Sequence, residues 1–74
     1  MASHRLDTKG MNCPLPILKT KKAIALIETG EEIEVLATDP AAVQDFEAFS
    51  RSTGHDLIEW NETDGVFRFL LRKN

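Results

Sequence analysis

The chain has 74 residues, of which 42% are hydrophobic and 28% are charged. This length allows one small core and excludes a second one, and the composition is that of a globular chain rather than a disordered one. The net charge of −3 argues against direct binding of nucleic acid, which depends on concentrated Lys and Arg. We therefore expect one domain, residues 1–74, with no direct nucleic-acid partner.

Cys13 is the one cysteine of the chain. It cannot form an internal disulfide, so a reducing compartment is the simpler expectation. The first residues contain no apolar signal region, and no segment approaches the length needed to cross a membrane. These features predict a soluble cytoplasmic protein with no membrane partner.

The first half of the chain reads as strand, helix and strand. A weak strand is expected over residues 4–8. A helix follows over about 14–29, with Pro14 at its first position and Gly30 capping its C-terminus. Its apolar stripe has helical spacing and consists of Ile17, Thr20, Ile24 and Ile27. Residues 31–38 alternate between apolar and polar, which predicts a half-buried strand.

The second half reads as a helix and a hairpin. Asp39 is the predicted N-cap of the second helix, Pro40 its first residue and Gly54 its terminal glycine. Two strands follow over 57–63 and 66–72, joined by the Asp-Gly pair typical of a type I′ turn. Phe67, Phe69 and Leu71 share one face of the last strand, and we expect Ile58 and Trp60 to match them on its neighbour.

The order of elements is therefore β, α, β, α, β, β. A right-handed crossover makes the first two strands parallel, and the hairpin adds an antiparallel pair. We predict an α/β (α+β) fold: a two-layer sandwich with a four-stranded mixed sheet and two helices on one face. The opposite face carries both apolar and charged residues and is expected to be partly solvated.

Cys13 stands just before the predicted start of the first helix. Free N–H groups and the helix dipole at that position favour a thiolate, which makes Cys13 a candidate nucleophile. Pro14 and Pro16 are expected to stiffen the turn that holds it. The alternative is a buried and inert cysteine, which is the usual fate of a free thiol.

Three lysines occupy the first half of the same helix, where cations oppose the helix dipole. Lys19 and Lys22 share a side with Leu26 on a helical wheel. One interpretation is a surface beside the thiol, formed by Lys19, Lys21, Lys22 and Leu26, that docks an acidic partner and stabilises the thiolate. The other is an ordinary solvated helix face.

Several chemistries lack the residues they need. One cysteine excludes a Cys-x-x-Cys redox pair within the chain, and the two histidines do not have zinc-ligand spacing. His55 is the one mid-chain candidate for a base, with no recognisable third member of a triad, and no glycine loop for phosphate is present. We expect no metal and no cofactor. A lone activated thiol is well suited to accepting sulfane sulfur as a persulfide and passing it on.

The motif Asn12-Cys13-Pro14-Leu15-Pro16 at a helix start resembles the TusA/SirA family of bacterial sulfur carriers. Two further corners support the resemblance, Thr38-Asp39-Pro40 and Thr53-Gly54-His55, so the match covers nearly the whole chain. The resemblance implies the same two-layer sandwich. It also implies a sulfurtransferase that carries persulfide sulfur on the motif cysteine, which maps to Cys13.

The resemblance further implies a relay. A cysteine desulfurase or a rhodanese-type enzyme loads the cysteine, and a downstream protein accepts the sulfur for tRNA thiolation, molybdenum-cofactor supply or sulfur oxidation. Leu15 occupies the variable motif position where tRNA-thiolation members carry an acid, which weakens assignment to that route. A carrier that meets two partners in turn is expected to be a monomer.

Two other hypotheses stay open at this stage. The domain could be a non-catalytic interaction or regulatory module of the same fold, in which the thiol is incidental. It could also be a redox sensor that uses Cys13 in an intermolecular disulfide. Loss of the thiol would leave partner binding intact in the first case, and oxidation would produce a reversible dimer in the second.

Overall fold

The structure is a computed structural model that describes residues 4–74. The residues before these, on which the expectation of no secretory leader partly rests, lie outside that range. Within the described range, no helix has the length and apolar character needed to cross a membrane. The elements are β1 (His4–Asp7), α1 (Leu15–Leu26), β2 (Glu32–Ala37), α2 (Ala42–Thr53), β3 (Asp56–Thr63) and β4 (Val66–Arg72).

The four strands form one mixed sheet in the order β1-β2-β4-β3. β1 and β2 are parallel, with Leu6 opposite Val35, and α1 is the crossover between them. β4 is antiparallel to both of its neighbours. The predicted βαβαββ order and mixed four-stranded sheet are therefore confirmed.

The core lies between the sheet and both helices, which pack on the same face. Alternate residues of β2 point into this layer, as the sequence predicted, and Phe69 pairs with Val35 in the register. Phe69 also stacks on Phe46 of α2, with ring centroids 4.4 Å apart. The buried cluster comprises Ile24, Ile27, Ile33, Val35, Ala37, Ala42, Phe46, Phe49, Phe69 and Leu71. Removal of this apolar surface from water is the main stabilising contribution.

α1 is shorter at both ends than the sequence predicted. It begins at Leu15 rather than Pro14, and the carbonyl of Pro14 accepts the N–H of Leu18 over 3.1 Å. It ends at Leu26, so Gly30 is not its cap. Gly30 instead lies in the following turn, with a φ of 91°, and its N–H donates to Lys73. The left-handed turn before β2 requires this glycine.

α2 begins at Ala42, later than the predicted start at Pro40. Asp39 nevertheless caps the turn that leads into it, because its Oδ1 accepts the N–H of Ala41 over 3.0 Å. This is the Asx geometry that competes with a regular helix start. At the other end, Gly54 has a φ of 80° and donates its N–H to Ser50, which confirms the predicted glycine cap.

The hairpin is confirmed, and Trp60 lies opposite Phe69 as predicted, but Ile58 does not match the same face of β4. Asp64 and Gly65 both have positive φ, 51° and 82°, as a type I′ turn requires. An irregularity between Leu57 and Glu59 leaves Ile58 without a partner in the register. Such a bulge shifts the alternation of side chains, so Leu57 packs on the core while Ile58 stays 42% exposed. The expectation that Ile58 faces the core was wrong.

Candidate functional site

Cys13 is exposed in the turn between β1 and α1, directly before the first helical turn. Its backbone N–H donates to Oδ2 of Asp39 over 2.9 Å, while Oδ1 of the same carboxylate holds Ala41. The carbonyl of Asn12 accepts the N–H of Leu15 over 2.9 Å and tightens the turn further. The cysteine is therefore fixed through its backbone while its side chain is accessible. The alternative of a buried, inert cysteine does not fit.

The two motif prolines differ in environment. Pro14 is exposed, forms a cis peptide bond with Cys13 and stands just outside α1. Pro16 is buried in the first turn of the helix. N–H groups of the first turn have no acceptor within the helix, so a proline at this position removes no helical hydrogen bond. Its carbonyl accepts the hydroxyl of buried Thr20 over 2.8 Å.

The electrostatics at the sulfur differ from the sequence prediction. The pKa of the Cys13 thiol is raised, first by a hydrogen bond to the Asp45 carboxylate, then by desolvation and by the charges of Asp45 and Asp39. A neighbouring negative charge disfavours the thiolate. The expected stabilisation of a thiolate by the helix start and the lysines is therefore not what this conformation provides.

A groove runs from Cys13 between the two helices, with a volume of about 360 Å³. Ile17 and Lys21 line it from α1, while Asp45 and Phe49 line it from α2. Asp45 belongs to the first turn of α2 and is half-buried. The groove therefore combines one thiol, one carboxylate and one ammonium group on an apolar floor.

The predicted lysine surface divides between two places. Lys19 and Lys22 line a second groove of about 580 Å³ on the outer side of α1, together with Leu15 and Leu18, and Lys21 lines both grooves. All three lysines are exposed. Leu26 lines neither groove and is 86% exposed at the end of the helix.

Sequence reasoning missed the two acids that surround the thiol. Asp39 carried a local signal, since an Asp before Pro predicts a cap, but nothing local showed that its second oxygen would hold Cys13. Asp45 carried no signal, because only the packing of α2 beside α1 brings it to the sulfur. Within residues 4–74, no group of three or more His, Cys, Asp or Glu side chains could hold a metal ion.

Fold and site define a class of protein: a small two-layer α/β sandwich that presents one exposed thiol at the start of its first helix. A family model described as Sulfurtransferase TusA matches residues 4–73. The sulfur carrier protein TusA of Allochromatium vinosum is 48% identical over 71 residues, which cover 96% of this chain and 93% of that protein. The chain belongs to the TusA family of sulfur carriers.

A solved structure supports the same assignment. The crystal structure of the SirA-like protein of Desulfitobacterium hafniense matches this fold with a TM-score of 0.82 and 30% identity. The match covers 93% of this chain and 95% of that one. Membership of a sulfur carrier family implies exchange of sulfur with donor and acceptor proteins.

Proposed function

We propose that this protein is a persulfide carrier in which Cys13 accepts sulfane sulfur from one protein and delivers it to another. The observation that supports this most directly is the accessible thiol, whose backbone is held by Asp39 over 2.9 Å while its side chain is exposed. Family membership supplies the chemistry, because the matching relative is named a sulfur carrier.

The transfer needs no cofactor and no net change in oxidation state. The Cys13 sulfur, as thiolate, attacks the terminal sulfur of a donor persulfide, and a new sulfur–sulfur bond forms as the donor's bond breaks. The donor cysteine leaves as a thiolate and takes the proton given up by Cys13. In the second half, a nucleophile of the acceptor attacks the terminal sulfur on Cys13, which leaves as the thiolate. One sulfur atom has then moved.

Roles for the remaining motif residues follow from their positions. Pro14 and Pro16 fix the turn that presents the sulfur. Lys19, Lys21 and Lys22 offer a positive rim to an acidic partner surface, and Leu26 extends that surface toward the end of α1. The lysine assignments rest on exposure and on the two grooves, the Leu26 assignment rests on its exposure alone, and the proline assignments rest on their positions at the start of α1.

The donor in this proposal is a cysteine desulfurase or a rhodanese-type enzyme, and the carrier works as a monomeric single domain, residues 1–74, in the cytoplasm. tRNA thiolation, molybdenum-cofactor supply and sulfur oxidation are the candidate destinations. Leu15 at the variable motif position favours the latter two. Its side chain is 46% exposed on the outer groove, where a partner would contact it.

The test is the intact mass of the protein after incubation with a cysteine desulfurase and cysteine, and separately with a rhodanese and thiosulfate. Wild type should gain the mass of one or more sulfur atoms, removable by reductant, and Cys13→Ser should gain none. Circular dichroism of Cys13→Ser checks that the substitution leaves the fold intact. No added sulfur on wild type from either donor would contradict the proposal.

A second candidate is an interaction module in which the thiol is incidental. The raised pKa of Cys13 favours it, because a protonated thiol is a weaker nucleophile. The same variant separates the two, because an interaction module with Cys13→Ser would keep both its partner affinity and its cellular effect. A carrier with this substitution would lose the effect and keep the affinity.

A further inference from the structure

The charges around the sulfur are unusual for a nucleophile. Among residues 4–74, three charged groups lie around Cys13 on the elements packed beside it: Lys21 of α1, Asp39 of the turn before α2, and Asp45 of α2. The carboxylates of Asp45 and Asp39 both raise the pKa of the Cys13 thiol, so the field at the sulfur disfavours negative charge. A free anion that approaches the thiol therefore meets repulsion.

The two carboxylates are not equivalent. Asp39 is held by the N–H groups of Cys13 and Ala41, at 2.9 Å and 3.0 Å, and these dipoles already compensate much of its charge. Asp45 is half-buried in the wall of the groove that it shares with Cys13, and its carboxylate is the main cause of the raised thiol pKa. Its charge is therefore the one that an incoming sulfur donor encounters.

We infer that Asp45 is a specificity-determining residue that excludes free anionic sulfur donors from Cys13 and admits a protein-bound persulfide that brings a positive side chain to its carboxylate. This inference rests on the proposed function. Small sulfane donors such as thiosulfate and glutathione persulfide carry negative charge, whereas a protein donor can place Arg or Lys beside its persulfide. The negative charge of the Asp45 carboxylate is neutralised only by the positive side chain of a docked partner.

The first test measures the charge effect without any sulfur transfer. Alkylation of Cys13 is followed across pH with neutral iodoacetamide and anionic iodoacetate at low ionic strength. In Asp45→Asn the ratio of iodoacetate to iodoacetamide rates should rise roughly threefold or more, because one repelling charge is removed. The midpoint of the pH profile should also move to lower pH, since loss of the carboxylate lowers the thiol pKa.

Two further variants make this test specific. Glu47→Gln removes the same charge from an exposed position on α2 that does not line the groove, so its ratio and midpoint should equal those of wild type. Asp45→Glu keeps the charge and should keep the low ratio. Thermal melts establish that each variant is folded. An Asp45→Asn ratio equal to that of wild type would overturn the inference.

The second test compares sulfur donors. Asp45→Asn should accept sulfur several-fold faster than wild type from glutathione persulfide, with no such gain from a cysteine desulfurase. Equal gains from both donors would overturn donor specificity. If wild type accepts sulfur from neither donor, the proposed function itself fails, while the alkylation ratio still reports whether Asp45 repels anions at Cys13. The two failures are thereby distinguishable.

Discussion

The backbone N–H of Cys13 donates a hydrogen bond of 2.9 Å to Oδ2 of Asp39, although 26 positions separate the two residues. The same carboxylate holds Ala41 through Oδ1, so one side chain joins the Cys13 turn to the entry of α2. These two N–H groups lower the pKa of Asp39, first through Cys13. The sulfur is thus positioned by a contact from outside its own motif.

Asp39→Asn should loosen the Cys13 turn, because an amide offers one acceptor oxygen in place of two. We expect the Cys13 amide proton to exchange with solvent faster by about fivefold, in line with the loss of one hydrogen bond of roughly 1 kcal/mol. Hydrogen exchange followed by NMR measures this directly. Asp7→Asn is the control, since its Oδ1 holds Lys9 in a neighbouring turn. Unchanged exchange at Cys13 would show that Asp39 does not hold the turn.

Glu34 lies on the sheet face opposite the helices and links β2 to β1 and to β4 through ion pairs. It accepts Nε of Arg68 and, over 2.7 Å, Nε of Arg5, and these contacts lower its pKa. A carboxyl whose folded pKa is lowered contributes stability above its unfolded pKa and loses it as pH falls through the folded value. The free energy of unfolding should therefore decrease with acid over that range.

Glu34→Gln should reduce the free energy of unfolding by about 1 kcal/mol at neutral pH, after screening at the surface is allowed for. The difference from wild type should vanish in acid, where both side chains are uncharged. Urea titrations at several pH values measure the free energy of unfolding. Glu47→Gln, at an exposed position of α2, is the control. A difference that persists unchanged into acid would mean that charge is not the cause.

Lys19 and Lys22 on α1 should affect the docking of a sulfur donor and not the reactivity of the Cys13 thiol. Replacing Lys19 and Lys22 together by Gln should slow loading from a cysteine desulfurase several-fold at low salt, and the deficit should shrink as salt is added. Alkylation of Cys13 by iodoacetamide should be unchanged, because neither lysine lines its groove. Replacing Arg5 and Arg72 together by Gln, on the sheet face opposite the helices, removes the same number of positive charges and is the matched control. Equal loading by both variants would remove the rim from the docking surface.

Phe46 is the central contact between α2 and the sheet, fully buried and stacked on Phe69. Phe46→Ala should lower the free energy of unfolding by about 3 to 5 kcal/mol, since it removes a large buried side chain and leaves a cavity. Urea unfolding measures the loss. Trp60→Ala, at a site 42% exposed, should cost clearly less. Similar losses would contradict the placement of the core.

The sequence predicted features whose causes are local. Asp64 and Gly65 specify their own turn, the alternation in β2 specifies its buried face, and Gly54 specifies the end of α2. The start of α1 was predicted within one residue, because Pro14 and Pro16 restrict where a helix can begin. Together these signals were sufficient for the order of elements and the sheet class.

Features set by tertiary packing could not be predicted in the same way. Ile58 alternates correctly with Trp60 in sequence, and only the bulge against β4 turns it away from the core. Asp45 resembles any acid in a first helical turn until α2 packs beside α1. The thiol pKa follows from that packing, so the helix-start argument gave the wrong direction for Cys13.

The most direct test of the carrier account follows one labelled sulfur atom through a full cycle. The protein is loaded with sulfur-labelled cysteine and a desulfurase, the donor is removed, and half of the sample is mixed with an excess of an acceptor thiol. Tryptic mapping should find the label on the peptide of residues 10–19, which holds Cys13, and that label should leave when the acceptor is added. Label elsewhere in the chain, or label that stays on this peptide, would contradict the account.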